Sequence, residues 1–213
     1  MQSDDIQGTD QWRRSRCGKV TASRVADVLA KIKSGEAAAR ANYKAQLVAE
    51  ILSGEPQEDC FVSKDMLYGI EQEQFARAAY ETSQGVFVEQ VGLIDHPTIP
   101  RFAASPDGLV GDDGMIEIKC PKLATHLSYI LTGTIPTIYQ TQMHSQLACC
   151  TQRKWNDFVS FRPELPEHLR MFRVRMVRDD SRIKEIEDEV IAFTAEVEAM
   201  VVLTLRKGER YGA

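Results

Sequence analysis

Residues 105–121 read Ser-Pro-Asp-Gly-Leu-Val-Gly-Asp-Asp-Gly-Met-Ile-Glu-Ile-Lys-Cys-Pro, and they carry the strongest structural signal in this chain of 213 residues. The central Gly-Asp-Asp-Gly, residues 111–114, is typical of a hairpin turn, because Gly and Asp tolerate the positive φ angles that such turns need. The two-residue period of a strand then points Glu117 and Lys119 to one face and Ile118 into the core. The sequence therefore predicts a hairpin with two charged side chains on one face of its second strand.

The predicted register of this hairpin pairs Val110 with Met115. Asp107 then lies opposite Ile118, close enough across the strands to share an ion with the charged face. Two carboxylates beside an ammonium group favour a bound ion over an empty surface.

Magnesium is the ion that this donor set predicts, because Mg²⁺ prefers oxygen ligands and retains several waters. Asp107, Glu117 and the backbone carbonyl of Ile118 would form part of its shell, with Lys119 orienting the attacking water. The alternative is a surface hairpin with an ordinary Glu/Lys pair. The preceding Pro-Asp and the following Cys-Pro favour the metal site.

The string Pro106-Asp107, followed by Glu117-Ile118-Lys119, resembles the motif of the PD-(D/E)xK nuclease superfamily. The longer strings Ser-Pro-Asp-Gly-Leu and Glu-Ile-Lys-Cys-Pro are similar to its lambda-exonuclease branch, the YqaJ-type viral recombinases. Three further pieces follow the order of that family: residues 7–23, 68–73 and 139–142. The resemblance implies an α/β fold with a restriction-endonuclease-like core, in which helices flank a mixed central β-sheet.

The resemblance also implies an activity. Members of this family degrade the 5′-ended strand of linear double-stranded DNA, and they leave a 3′ single-stranded tail. For this chain it implies a 5′-to-3′ exodeoxyribonuclease that uses Mg²⁺, with Mn²⁺ as a substitute and two ions at each site. It further implies a homotrimer ring threaded by DNA and a single-strand-annealing protein that receives the tail for phage recombination.

By the same resemblance, Glu73 adds a helical carboxylate to the catalytic and metal-binding set of Asp107, Glu117 and Lys119. Glu71 is two residues earlier on the predicted helix and points roughly 200° away. The motif position favours Glu73 over Glu71.

The 5′-phosphate site that the family implies falls on Arg16, Thr21 and Ser23, and Ser105 and Gln142 lie in stretches that contribute to the same region. An arginine can grip a phosphate with two N–H groups, and hydroxyls near a helix N-terminus suit an anion. Thr21 or Ser23 could also simply cap a helix. Many members carry an arginine where this chain has Thr125, so the sequence leaves the strictness of the 5′-phosphate requirement open.

Composition is that of an ordinary globular protein, with 43% apolar and 27% charged residues. The five cysteines include no Cys-x-x-Cys pair, so the sequence predicts neither a zinc site nor a disulfide framework. No apolar run approaches the ~20 residues of a membrane span. The cysteines are typical of reduced thiols, so we expect a cytoplasmic protein, and the resemblance implies a phage or prophage protein in a bacterial host. A net charge of −5 does not exclude DNA, because basic residues cluster within residues 13–24 and 170–178.

The pattern predicts one domain over residues 1–213, with an N-terminal arm at 1–20 and a C-terminal helix at 180–206, and the resemblance implies that this domain is a nuclease. The expected helices cover residues 21–33, 36–52 and 63–82, with two more that start at 121 and 137. The expected strands cover residues 86–95, 101–104, 115–119, 154–161 and 171–178. Asp180 or Ser181 is the predicted cap of the last helix.

Two other functions are compatible with the same residues. One is a PD-(D/E)xK endonuclease, which would open closed circular DNA. The other is a catalytically silent module that binds DNA ends. The intact set of Asp107, Glu117 and Lys119 argues against the silent module.

Overall fold

A computed structural model describes residue 5, residues 7–57 and residues 63–211 of the chain; Cys60 and the first residues of the predicted arm lie outside these ranges. The helices are α1 (Asp10–Arg16), α2 (Val25–Val28), α3 (Ala38–Ser53), α4 (Lys64–Gln84), α5 (Leu123–Thr132), α6 (Thr137–Cys149) and α7 (Asp180–Tyr211). The strands are β1 (Val20–Thr21), β2 (Val88–Glu89), β3 (Ile94–Asp95), β4 (Phe102–Ala104), β5 (Gly108–Val110), β6 (Gly114–Lys119), β7 (Trp155–Phe161) and β8 (Met171–Val177). No helix within these ranges is both long and apolar enough to cross a membrane.

The central sheet has the strand order β2-β5-β6-β7-β8. Within this sheet β6 and β7 pair in parallel, and helices α5 and α6 form the connection that a parallel pair requires. A smaller sheet has the order β1-β4-β3, with β1 and β4 parallel. The predicted α/β fold with a mixed sheet flanked by helices is therefore confirmed.

Strand β6 is buried on both faces, and its alternate side chains enter different parts of the core. Met115 packs with Leu147 of α6 and Phe193 of α7 in one cluster. Ile116 and Ile118 pack in a second cluster that includes residues of α4. Because helices cover both faces, Glu117 is buried although it is charged, with 1% of its surface exposed.

The hairpin register differs by one residue from the prediction. Val110 pairs with Gly114 rather than with Met115, so the turn contains three residues, the first being Gly111 with φ of 54°. Gly114 can begin β6 because it has no side chain: a Cβ there would lie 2.1 Å from a ring atom of Trp155. Continued by one residue, the observed register sets Asp107 opposite Glu117.

We expect Gly114→Ala to lower the free energy of unfolding by about 1–3 kcal/mol, the usual effect of overpacking a core. The indole cannot easily retreat, because Arg175 stacks on it at 3.5 Å and its Nε1 donates to Asp113. Urea denaturation would measure the change. Gly69→Ala in α4 is the matched control, since a Cβ added there would meet nothing within 4 Å and the change should be neutral or stabilising. Equal or greater stability of Gly114→Ala would contradict this account of the register.

The helix predicted over residues 21–33 is wrong in length. A single 3₁₀ turn over residues 22–24 leads into α2, which ends at Val28. The Thr21 hydroxyl accepts a hydrogen bond from Arg16 instead of capping the turn. Beyond Leu29 the chain has little apolar surface to bury, and Ile32 is 57% exposed.

Other helix predictions were closer. Helices α3, α4, α5 and α6 begin within two residues of the predicted starts. The predicted cap of α7, Asp180 or Ser181, is wrong, because Oδ1 of Asp179 accepts from the backbone N–H groups of Ser181 and Arg182. The helix also continues past the predicted end at residue 206 to Tyr211. Helix α1 was not predicted. The strand predicted over residues 86–95 is divided, because β2 joins the central sheet and β3 joins the smaller one.

Candidate active site

Glu117 lies at the centre of a group of polar side chains on β6. Its Oε1 accepts from Nε2 of Gln142 at 2.6 Å and contacts Nζ of Lys119 at 2.5 Å. Its Oε2 accepts from Nε2 of Gln146 at 2.5 Å. These three donors are consistent with an ionised carboxylate in a buried position, because charged groups in a core need compensating partners.

Lys119 is held between a carboxylate and an aromatic ring. Its ammonium contacts Glu117 and lies 5.2 Å from the centre of the Tyr139 ring, an arrangement that favours a cation. Burial by itself lowers the pKa of Lys119, but the charges of Glu117 and Asp107 outweigh burial and raise it. Lys119 is therefore an ordered hydrogen-bond donor next to the carboxylates.

Asp107 is anchored to the same strand through the backbone. Its Oδ2 accepts from the N–H of Ile118 at 2.6 Å. Burial raises the pKa of the Asp107 carboxyl well above its usual range, and the charges of Glu117 and Glu73 raise it further. A second positive charge at this place would favour the ionised form.

Glu73 reaches the group from α4. It pairs with Arg77 one turn later on the helix, with 2.5 Å between Oε1 and a guanidinium nitrogen. Burial raises the pKa of Glu73; the charge of Arg77 opposes this shift, and that of Glu117 adds to it. The neighbouring Glu71 is exposed.

The charges of this cluster are unbalanced. Three carboxylates, Asp107, Glu117 and Glu73, interact with two cations, Lys119 and Arg77. Among residues 5, 7–57 and 63–211, no group of three or more His, Cys, Asp or Glu side chains is arranged so that it could hold a metal ion by itself. A partial oxygen shell with excess negative charge fits Mg²⁺, which binds through one or two carboxylates and keeps waters for the remaining positions.

A second polar cluster forms around Arg16 at the end of α1. A terminal nitrogen of Arg16 lies 3.3 Å from the Thr21 hydroxyl, which is 3.4 Å from the Ser23 hydroxyl. The Arg16 guanidinium stacks on the Trp12 ring at 4.1 Å, and the Trp12 indole N–H donates to Ser105 at 3.0 Å. Four of the five residues predicted for the phosphate site are therefore neighbours or share a neighbour.

The smaller sheet joins the two clusters. Parallel pairing sets Thr21 of β1 against Ala103 of β4, and the chain then continues through Ser105 to Asp107. Gln7 holds this connection by donating to the backbone carbonyls of Pro106 and Val91. Ser105, which is linked to the Arg16 cluster through Trp12, is therefore only two residues from Asp107 along the chain.

Gln142 differs from the other predicted phosphate residues, because its amide donates to Glu117. The late arginine cluster also has other contacts. Arg173 and Arg175 both pair with the buried Asp157, and Arg178 pairs with Asp180. These arginines contribute less free positive charge than the sequence suggested.

Sequence reasoning missed three contributors to the site. Gln146 and Arg77 each lie four residues after a predicted site residue on a predicted helix, a spacing that puts them on the same face. That spacing could have identified both. The bond from Trp12 to Ser105 spans 93 positions of the chain, and no local pattern indicates it.

Comparison with known proteins identifies the family and the fold. The family model for the YqaJ-like viral recombinase domain matches residues 11–153. The crystal structure of the alkaline exonuclease LHK-Exo from Laribacter hongkongensis superimposes with a TM-score of 0.86 and 48% identity, over 95% of this chain and 99% of that one. LHK-Exo in complex with dAMP gives a TM-score of 0.88 and 49% identity over the same shares.

A phage-related exonuclease from Haemophilus somnus 129PT has 16% identity and a TM-score of 0.67, over 87% of this chain and 96% of that one, and shows the shared fold alone. No curated protein sequence matches this chain. The family model covers most of the chain, and LHK-Exo is similar over nearly its whole length. The chain therefore belongs to the YqaJ-like viral recombinase family, the lambda-exonuclease type.

Proposed function

We propose that this protein is a Mg²⁺-dependent exonuclease that degrades the 5′-ended strand of linear duplex DNA. The observation that carries the proposal is the cluster of Asp107, Glu117 and Glu73 around the Lys119 ammonium. Family membership supports a nuclease role in recombination. LHK-Exo, the similar alkaline exonuclease, binds dAMP, and a deoxynucleoside monophosphate is the product expected of such a reaction.

The residues of the site can be assigned separate roles in metal binding and in catalysis. Asp107, Glu117, the Ile118 carbonyl and Glu73 would hold one or two Mg²⁺ ions, with Mn²⁺ as a substitute. When bound, such ions would activate water at neutral pH and offset charge on the phosphate. Lys119 would donate a hydrogen bond that orients the attacking water, and its charge would stabilise the negative charge that develops on the phosphate.

The Arg16 cluster supports the 5′-to-3′ direction. Arg16, Thr21 and Ser23 present a guanidinium and two hydroxyls, which suit a terminal phosphate. Ser105 connects this cluster to Asp107 through only one intervening residue. A DNA end held by its 5′-phosphate here would place a nearby phosphodiester at the carboxylates.

The remaining features of the proposal come from the family. A homotrimer ring would keep the enzyme on one duplex through many cycles of cleavage. The 3′ tail would pass to a single-strand-annealing protein for recombination.

A comparison of two substrates tests the activity. We expect the protein with Mg²⁺ to release nucleotides from a 5′-phosphorylated linear duplex and to leave a covalently closed circle of the same sequence intact. Opening of the circle would indicate the endonuclease instead. Inertness towards both substrates with Mg²⁺ and with Mn²⁺ would indicate the DNA-end binding module.

We expect Arg16→Ala to slow degradation of a 5′-phosphorylated duplex by about tenfold or more, since a hydrogen bond to a charged group contributes roughly 1.5–3 kcal/mol. The rate on a 5′-hydroxyl duplex should change much less, because the lost contact is to the phosphate. Rates on both duplexes would be compared under single-turnover conditions. Arg14→Ala is the matched control, because Arg14 lies on the same helix but is 67% exposed and pairs with Glu55. Equal slowing on both duplexes would show that Arg16 does not bind the terminal phosphate.

A further inference from the structure

A line of buried amides leads from strand β7 to Glu117. Nδ2 of Asn156 donates to Oε1 of Gln146 at 2.6 Å, and Nε2 of Gln146 donates to Oε2 of Glu117 at 2.5 Å. Asn156 and Gln146 are fully buried, and Glu117 is 1% exposed. The three side chains come from β7, α6 and β6, so the line joins three elements around the carboxylate.

The carboxylate sets the direction of every bond in this line. An ionised carboxylate only accepts hydrogen bonds, so Gln146 must turn its NH₂ group to Glu117 and its oxygen away. That oxygen needs a donor in the core, and the NH₂ group of Asn156 supplies it. Reversal of either amide would place two acceptors against each other.

The stability of the core does not by itself explain why an asparagine occupies position 156. Its Oδ1 is buried and accepts no hydrogen bond from any residue in the described ranges. An unsatisfied buried acceptor destabilises a core, and an apolar side chain of similar size would avoid this. The contribution of Asn156 therefore lies in the bond that it donates to Gln146.

The bonds at Glu117 leave a defined place for a cation. A carboxylate offers about four lone-pair positions, and Lys119, Gln142 and Gln146 occupy three. We propose that Gln146, itself oriented by Asn156, is a positioning residue that holds the Glu117 carboxylate in the orientation that receives the divalent cation. This inference rests on the proposed function, because it assigns the remaining position to the metal.

Three variants separate positioning from packing. Gln146→Met removes the donor to Glu117 and leaves the Asn156 NH₂ group without its acceptor. Asn156→Leu removes the donor to Gln146. The double variant Gln146→Met/Asn156→Leu replaces both amides by apolar groups of similar size, so it leaves no orphaned amide in this line.

The first readout is the affinity of the DNA-free protein for Mn²⁺, measured by calorimetry. The second readout is the melting temperature in chelator. We expect Gln146→Met to weaken Mn²⁺ binding about tenfold, the usual scale for a residue that supports a metal ligand, and to lower the melting temperature. The double variant should regain melting temperature but bind Mn²⁺ as weakly as Gln146→Met, because Asn156 acts only through Gln146.

Ser160→Ala is the matched control on β7. Ser160 is fully buried and its hydroxyl lies 2.7 Å from Nδ1 of His126, so its loss should lower the melting temperature without changing Mn²⁺ affinity. Recovery of Mn²⁺ affinity together with stability in the double variant would overturn the proposal, since packing alone would then explain both. Wild-type affinity in every variant would also overturn it. Absence of Mn²⁺ binding and of DNA cleavage by the wild-type protein would instead overturn the metal site itself, and the positioning role with it.

Discussion

Lys119→Ala is expected to reduce the rate of DNA cleavage by about 10²–10³-fold, the scale observed when one electrostatic donor is removed from an active site. The ammonium is anchored by Glu117 at 2.5 Å and by the face of Tyr139, so no neighbouring side chain can easily take its place. The effect should fall on the rate of the chemical step, because four of the five residues predicted to hold the DNA end belong to the Arg16 cluster and not to the surroundings of Lys119. Single-turnover cleavage of a 5′-phosphorylated duplex would measure it.

The control for this prediction is Lys122→Ala. Lys122 is three residues later, and its side chain is 70% exposed and pairs with Asp65 at the start of α4. The Lys122→Ala variant should cleave DNA at nearly the wild-type rate. Binding of DNA ends, measured by fluorescence anisotropy in Ca²⁺, should be similar in both variants. A Lys119→Ala enzyme within tenfold of the wild-type rate would remove Lys119 from the mechanism.

Asp107→Asn should nearly abolish Mg²⁺-dependent cleavage while making the metal-free protein more stable. Asparagine can still accept the hydrogen bond from Ile118, so the local backbone should persist. The loss of cleavage should be at least about 10²-fold, since the charge stabilisation that a metal supplies amounts to several kcal/mol. The gain in stability follows from the crowded carboxylates, whose repulsion the substitution reduces.

The pH dependence of this gain has a definite sign. Burial, Glu117 and Glu73 raise the pKa of Asp107 in the folded protein well above the ~3.9 of an unfolded chain. Between these two values the folded state holds a proton that the unfolded state has lost, so stability falls as pH rises through the window. Asp107→Asn removes this fall, and its advantage should be greatest above the window.

Thermal melting in chelator at several pH values would test whether stability falls as pH rises. Titration with Mg²⁺ would test whether repulsion among the carboxylates is the cause. The wild-type melting temperature should rise with Mg²⁺, while that of Asp107→Asn should respond much less. Asp112→Asn is the control, because Asp112 is exposed at the hairpin turn. A metal-free Asp107→Asn protein less stable than wild type at neutral pH would contradict the repulsion among the carboxylates.

The sequence by itself determined the elements whose signals are local. The α/β class, the β5–β6 hairpin, helices α3 and α4 and the motif residues Asp107, Glu117 and Lys119 all follow from turn residues, periodicity and short spacing. Such signals are reliable when the turn residues or the periodicity that determine a local structure lie in the same short stretch of chain as the residues they position. Gln146 was missed although it carries the same kind of local signal, since its four-residue spacing from Gln142 on a predicted helix puts both residues on one face.

Only the tertiary structure decided features that depend on distant partners. The observed hairpin register differs by one residue from the predicted register because the Trp155 ring occupies the space next to Gly114. Trp155 is 41 positions later in the chain than Gly114. The helix after Thr21 stopped early because its continuation had no apolar surface to cover. Pairing of β1 with β4 brought the Arg16 cluster beside Ser105, and Asn156 reached Glu117 only through α6. In each case the deciding contact joins residues far apart in the chain, and packing rather than local preference selects it.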